Sequence, residues 1–393
     1  MIFDFLSDSE FNARLINNRR ELHKIPERGG DLPRTKAYVI SRLEKLNIPY
    51  KQNQLDSGLV VEVNGKESGK TLLIRADMDG LHVNENCPVD YKSQIEGQMH
   101  ACGHDCHTAI ALATLEVLAK NPSAFKGTVR FLFQTGEETG TGAKLMIKEG
   151  ATENAHAIVS IHVGNLAGDS LLPGSVAIME GPVSAGKNKF KITIKGKGAH
   201  SAFPERGIDP IKVGAKIILA VEELKKEIPD GEQAVISFGA FNAGVDHNTI
   251  PEIAELKGGI RCQNDKLREH LTTRIVEICE SLASEVGASA EIDLIRSSVT
   301  VMNNPELANR FASAVKKVLG EENVITKVPY RLMASDDFCN YLSLVPGVYF
   351  MLNTNNQEKG VVYANHNPNF NVDEETLING VASYVAIALE YLK

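Results

Sequence analysis

Residues able to bind a transition metal recur along this chain. Cys102 and His104 stand two apart in Met99-His100-Ala101-Cys102-Gly103-His104-Asp105, with Cys106 and His107 just beyond. Glu137-Glu138 follows, then His162, and much later His366. Thiolate, imidazole and carboxylate together are the donors that a divalent cation such as zinc prefers. Singly, each has a duller explanation: a lone His or Glu at a strand end is usually solvated or hydrogen-bonded, and a lone Cys is usually core. Their joint occurrence resists that explanation. Five donors exceed the four of one tetrahedral site and suggest two ions sharing a bridging group. The Cys102-Gly103-His104 spacing also allows a thiol nucleophile with a histidine base, but leaves Glu138, His162 and His366 without a role.

The elements that must position these residues are legible in outline. Residues 10–24 and Thr35–Leu46 read as helices, and Leu59–Val63 and Thr71–Arg75 as strands. A helix is expected at Thr108–Lys120, strands at Thr128–Phe133 and Ala157–Ile161, a helix at Pro305–Leu319 and a buried strand at Gly347–Leu352. Alternating strands and helices indicate an α/β domain with a largely parallel sheet. In such sheets ligands gather at the carboxyl ends of strands. Asp77 and Asp79 follow the Thr71 strand, Glu137-Glu138 the Thr128 strand, and His162 the Ala157 strand, while His366 lies in the loop after Gly347–Leu352. Cys102, His104, Asp105 and His107 fall in the loop before the Thr108 helix, whose start turns Cys106 and His107 away.

The texture changes near Pro182. Lys187–Lys195 alternates polar and apolar residues, the mark of a half-exposed strand. A helix at about 209–226, strands at Ala234–Ala240 and Ala254–Arg261, a helix at Leu267–Val286 and a strand at Ala290–Ile295 complete a β-α-β-β-α-β series, the ferredoxin-like order. At 393 residues the chain is too long for one ordinary core. The expected fold is therefore α/β: a catalytic domain with a mixed, largely parallel sheet flanked by helices (1–184 and 296–393), carrying an inserted ferredoxin-like α+β dimerisation or lid domain (185–295).

A net charge of −8 and a pI near 5.8 argue against nucleic acid or an anionic membrane as the main partner. No run of about 18 apolar residues marks a membrane span, and the first residues lack the pattern of a signal peptide, so the cytoplasm is the expected location. Six cysteines in so long a chain make no disulfide framework.

At the same residues the sequence resembles the dinuclear metal-dependent amidohydrolases related to aminoacylase, glutamate carboxypeptidase, hippurate hydrolase, auxin-conjugate hydrolases and N-acetyldiaminopimelate deacetylase. Met99–Asp105 is the most specific segment. Arg19-Arg20-Glu21-Leu22-His23-Lys24-Ile25-Pro26-Glu27, Arg75-Ala76-Asp77-Met78-Asp79-Gly80-Leu81, Phe133–Glu138, Lys195–His200 and Ala364–Phe370 match in the family's order. The resemblance implies that Cys102, His104, Glu138, His162 and His366 hold two divalent ions, with zinc or manganese favoured and cobalt or nickel allowed. It makes Glu137 the general base and marks Asp77 as an active-site residue that orients a metal-bound histidine. It also places His200 in the active site of a partner subunit, with Asn248 and Arg261 binding a substrate carboxylate or carbonyl.

The implied reaction is hydrolysis of an amide bond in N-acyl amino acids or short peptide-like conjugates, by metal-bound hydroxide, in a homodimer or higher homo-oligomer. A non-catalytic metal-binding protein on the same fold is the alternative. His82, Thr135-Gly136, Thr139 and Glu27–Asp31 depart from the family's usual residues, so the substrate does not carry over from any relative. Asp336-Asp337-Phe338 fits the family's acidic-acidic-Phe segment and is expected to shape the site.

Overall fold

The computed structural model describes residues 2–52, 55, 57–165, 171–328 and 332–393. They form two compact units: Met1–Val183 with Met302–Tyr330 and Asp336–Lys393, and Ser184–Val301 with Arg331–Ser335.

The first unit is built on a mixed sheet. Its strands are β1 (Tyr50–Gln52), β2 (Gly58–Asn64), β3 (Glu67–Asp77), β4 (Lys126–Gln134), β5 (Ala157–Gly164), β6 (Val176–Ala177), β15 (Val324–Ile325) and β16 (Gly347–Asn353). They lie in the order β1-β2-β4-β3-β5-β16-β6-β15. The central neighbours β4, β3, β5 and β16 run parallel, whereas β1, β2 and the β16–β6 pair are antiparallel. Every residue of β5 and β16 is buried. That explains their unbroken apolar runs, since a parallel strand covered on both faces has no polar side to alternate with.

Helices α1 (Ser9–His23), α2 (Pro33–Lys45), α3 (His104–Lys120), α7 (Pro305–Leu319) and α9 (Leu377–Tyr391) pack around this sheet, with the short α4 (Gly142–Lys148) and α8 (Cys339–Leu342). α3 and α9 are buried on nearly every side. α9 has no polar face to reveal its period, and the sequence reading contains no helix there. α3 starts a full turn before Thr108, so His104–His107 are helical rather than loop. Periodicity registers the apolar body of a helix and misses a polar first turn. β5 likewise runs on to Gly164 and places His162 inside the strand.

The second unit contains β8 (Gly186–Lys195), α5 (Pro210–Glu223), β10 (Ala234–Ala243), β12 (Ile253–Cys262), α6 (Asp265–Ser284) and β13 (Ser289–Ser298). The sheet order is β10-β12-β8-β13 with antiparallel neighbours throughout, which is the ferredoxin-like topology. Phe190, Ile192 and Ile194 of β8 pack with Val213 and Ile217 of α5 and Leu271 and Ile275 of α6. Asp209 and Asn264 cap the two helices through their side chains. A two-residue ribbon pairs β9 (Ala199–His200) with β11 (Thr249–Ile250). The short strands β7 (Gly181–Ser184) and β14 (Val301–Asn303) straddle the boundaries between the units. Among the described residues, no helix is long and apolar enough to cross a membrane.

Candidate metal centre

Each donor is fixed by a local constraint. Gly103 caps α3 at φ +89°, and a Cβ there would sit 2.5 Å from Val163 Cγ2, so the residue between Cys102 and His104 must be glycine. This left-handed step turns the chain abruptly into the helix and lets a loop thiol and a helical imidazole share one place. On the far side His366 is itself left-handed, at φ +70°. Such strain in a non-glycine residue persists only where neighbours enforce it. Here the His366 amide donates to Ala101 O at 2.7 Å, and Asn365 Nδ2 donates to Cys102 O and Val163 O at 3.0 and 3.1 Å.

The donor atoms converge. Cys102 Sγ lies 3.5 Å from His162 Nε2, and His366 Nε2 lies 3.6 Å from Glu138 Oε1. His162 Nδ1 donates to Val163 O at 2.9 Å, which leaves Nε2 as the lone-pair nitrogen facing the thiol. Cys102, His104 and His162 form one cluster with ligand atoms within 4.8 Å, and Cys102, Glu138 and His366 form another.

These residues fit divalent cations. Among the described residues, both ring nitrogens of His104 and Oε1 of Glu138 are buried without a hydrogen-bond partner. Unpaired polar atoms of this kind are costly, at about 1–3 kcal/mol each, unless another group satisfies them. Burial pushes the Cys102 thiol well above its usual pKa, which opposes the depressed value a thiol nucleophile needs. Burial acts to lower the His104 pKa, but Asp77, Cys102 and Asp79 outweigh it and raise the value. A bound dication reverses both directions, favouring thiolate and neutral imidazole.

The paired glutamates are held from two sides. Asp79 accepts the backbone N–H groups of Glu137 and Glu138, each at 3.1 Å. Glu137 Oε1 accepts the amide of Asp337 at 3.2 Å. Burial, reinforced by Asp336, Asp337 and Glu138, raises the Glu137 carboxyl well above its usual range, and bound cations oppose that shift.

Asp77 stands between two histidines. Its Oδ1 lies 2.5 Å from His107 Nδ1, whereas its Oδ2 stands 3.5 Å from His104 Nε2. His107 Nε2 accepts the Val163 amide at 2.8 Å, so both of its nitrogens are engaged and neither can ligate. Yet α3 does not turn His107 away. Its ring sits 5.3 Å from that of His104 and 4.8 Å from that of His162, as a backing layer. Cys106 is buried in the core.

Sequence reasoning quoted two arginines, Arg19 and Arg75, within matched segments but gave them no role, and both are buried. Arg19 Nε donates to Asp105 Oδ2 at 2.9 Å, beside the 2.7 Å His23–Asp105 contact, and Arg19 Nη1 reaches Glu374. Arg75 sits among Asp77, Asp336, Asp337 and Gln134. A charged residue inside the apolar run Leu72-Leu73-Ile74-Arg75-Ala76 was the available signal. His100 is also buried, and burial lowers its pKa to about 3.

The remaining three candidates belong to the second unit. His200 pairs with Thr249, and the Ser201 amide donates to Asn248 O at 3.0 Å, so the ribbon carries His200 on one strand and Asn248 just ahead of the other, at successive positions, both exposed. His200 Nδ1 accepts the Ala202 amide at 3.1 Å. Arg261 lies at the other end of β12 and is partly buried. Its Nη1 donates to Met333 O and Ser335 Oγ, both at 3.1 Å.

Comparison with known proteins adds an independent line. The family model for peptidase family M20/M25/M40 matches residues 73–390. The chain is 33% identical to thermostable carboxypeptidase 1 of Saccharolobus solfataricus over 97% of its own length and 96% of that protein's. It is 32% identical to the N-acetylcysteine deacetylase of Bacillus subtilis, covering 99% of this chain and 100% of the relative. Among solved structures, a Bacillus subtilis dinuclear metal-binding peptidase from the M20 family superposes with a TM-score of 0.85 at 30% identity, covering 98% of this chain and 99% of that one.

Proposed function

This chain belongs to peptidase family M20/M25/M40 and is a metal-dependent amidohydrolase, and on that footing we propose that it cleaves N-acyl amino acids or short peptide-like conjugates with Glu137 as general base. The observation that carries this reading is the convergence of Cys102, His104, His162, Glu138 and His366, among which, in the described residues, the ring nitrogens of His104 and Oε1 of Glu138 are buried with no hydrogen-bond partner. Cys102, His104, Glu138, His162 and His366 would hold two divalent ions, zinc or manganese in preference to cobalt or nickel. Bound there, the ions would supply Lewis-acid charge that acidifies a water and polarises the scissile carbonyl.

The chain's own groups do the rest. Asp79 fixes the turn that carries the two glutamates: Glu138 reaches Cys102 and His366, while Glu137, which lies near His104 as well, accepts the Asp337 amide. A carboxylate so placed takes the proton of the attacking water and delivers it to the departing nitrogen. Asp77 and His107 back the imidazoles of His104 and His162. In the second unit, Asn248 and Arg261 would bind the substrate's carboxylate or carbonyl. His200 would serve the partner subunit's site in a homodimer, donating to the carbonyl oxygen as negative charge develops on it.

Elemental analysis combined with hydrolysis of N-acetyl, N-benzoyl and aminobenzoyl amino acids tests the proposal. The expected result is two equivalents of divalent metal and turnover that a chelator abolishes. Undiminished turnover after chelation would sink it, and a metal-loaded protein inert to the whole panel would leave a binding protein instead.

A further inference from the structure

Arg75 is completely buried and touches four side chains, those of Gln134, Asp77, Asp336 and Asp337. Its Nε donates to Gln134 Oε1 at 3.0 Å, and its Nη2 donates to Asp337 Oδ1 at 2.7 Å and Asp336 Oδ1 at 3.2 Å. Nη1 lies 2.7 Å from Asp77 Oδ2, an ion pair whose angle falls outside that of a hydrogen bond. The acidic partners are buried as well. Asp337 is further tied by Gln134 Nε2, at 2.9 Å to each oxygen, and by the Ala143 amide at 2.9 Å. Asp336 accepts the Phe338 amide at 2.8 Å and the Tyr349 hydroxyl at 2.9 Å.

What lies beyond these partners matters more. Asp337 gives its backbone N–H to Glu137, and Asp77 accepts with its other oxygen from His107 Nδ1, the ring that backs His104 and His162. An unbroken path of contacts between 2.5 and 3.2 Å therefore runs Glu137–Asp337–Arg75–Asp77–His107. We propose that Arg75 is a positioning residue that holds the loop carrying Glu137 in register with the imidazole side of the metal centre.

The proposal rests on Glu137 being the base. A planar guanidinium is suited to the task because its rigid fork fixes several acceptors at once, whereas an ammonium on a flexible stem fixes one. Stability alone does not require such a network, because well-packed apolar residues of similar volume often replace buried ion pairs without loss.

The test compares Arg75→Lys in the wild-type and Glu137→Gln backgrounds, with metal content, KM, kcat and hydrogen exchange read on each. Arg75→Lys should lower kcat by about a hundredfold, the cost of displacing a catalytic group by roughly 1 Å. Metal content and KM should stay within about twofold, because binding groups are untouched. Peptides spanning 134–140 and 335–340 should exchange about tenfold faster, reporting loss of the Glu137–Asp337 contact. In the Glu137→Gln background the same substitution should leave the residual rate unchanged. If Arg75→Lys does not fold, Asp337→Asn, which keeps size and backbone but loosens the arginine, must give the same pattern.

A kcat within about threefold of wild type, unaltered exchange or lost metal overturns the proposal. So does an equal loss in both backgrounds. Undiminished turnover by Glu137→Gln alone would instead overturn the assignment of the base, which keeps the two failures apart.

Discussion

The two compact units carry their candidate functional residues in opposite ways. In the first, His104 and His162 are buried in the first turn of a helix and in the last residues of a strand, and the ring nitrogens of His104 have no hydrogen-bond partner among the described residues. In the second, His200 and Asn248 are exposed and already bonded within their own ribbon. A buried atom without a partner costs stability and marks a place where another species completes the structure. An exposed residue on a stable sheet costs nothing and is free to meet a substrate. Substitutions in the first unit should therefore disturb chemistry or folding, and those in the second only substrate handling and the transition state.

The largest effect is expected at Glu137. Glu137→Gln keeps shape and the Asp337 contact but cannot take a proton, so kcat should fall by about a thousandfold, within the range for a positioned general base. Metal content should be unchanged by elemental analysis. If metal is lost together with activity, Glu137 is a ligand and the division of labour with Glu138 is wrong.

A smaller loss, about a hundredfold in kcat, is expected for His200→Ala, as for removal of one oxyanion donor. If His200 serves the partner's site, mixing subunits of His200→Ala and Glu137→Gln should restore activity. Random pairing makes half the dimers mixed, and one of the two sites in each is intact, so recovery should approach about one quarter of wild type. Recovery no better than the sum of the separate variants would place His200 in its own subunit's chemistry or outside the reaction.

Asp105 tests the folding side of the contrast. Burial opposes its ionisation, yet Arg19 and His23 overcome that and hold its carboxyl far below the usual carboxylate range. A depressed folded-state pKa contributes stability above the unfolded value, near 3.9, and that stability is lost as pH falls below it. Asp105→Asn leaves Arg19 buried without this charge and should cost about 3 kcal/mol at neutral pH. Urea unfolding followed from pH 7 to pH 3 should also lose part of its acid sensitivity. An unchanged acid limb would assign that sensitivity to other carboxylates.

How much of this was legible beforehand follows from where each residue sits. Cys102, His104, Glu138, His162 and His366 stood out because donor types repeated beside apolar strand runs, which periodicity finds well. Arg75 and Arg19 escaped because one polar residue inside a strand or on an amphipathic helix carries no periodic signal, and their partners are as many as 355 positions away. Asp77 was marked as orienting a metal-bound histidine without a particular ring named, since spacing shows which residues are near an element's end and not which way a ring turns. α9 was invisible because a helix buried on all sides has no polar stripe. The ferredoxin-like order was readable because strands exposed on one face alternate, as β8 does.

Arg261 should show the smallest effect, and it probes the contrast most directly. Its guanidinium is partly buried, and burial lowers its pKa, but it donates to Met333 O and Ser335 Oγ rather than to any carboxylate. A cation whose recorded acceptors are neutral keeps attraction available for an anionic ligand. Arg261→Ala should raise KM for substrates with a free carboxylate by about tenfold, the lower end for a charge-assisted hydrogen bond, and leave kcat nearly unchanged. The melting temperature should move by only a few degrees, because the fold loses two half-exposed hydrogen bonds to neutral acceptors and no ion pair. Amidated substrates, which lack the charge, should be indifferent to the substitution. An equal rise in KM for both would make Arg261 a brace for residues 333–335, and the second unit would then share the structural character of the first.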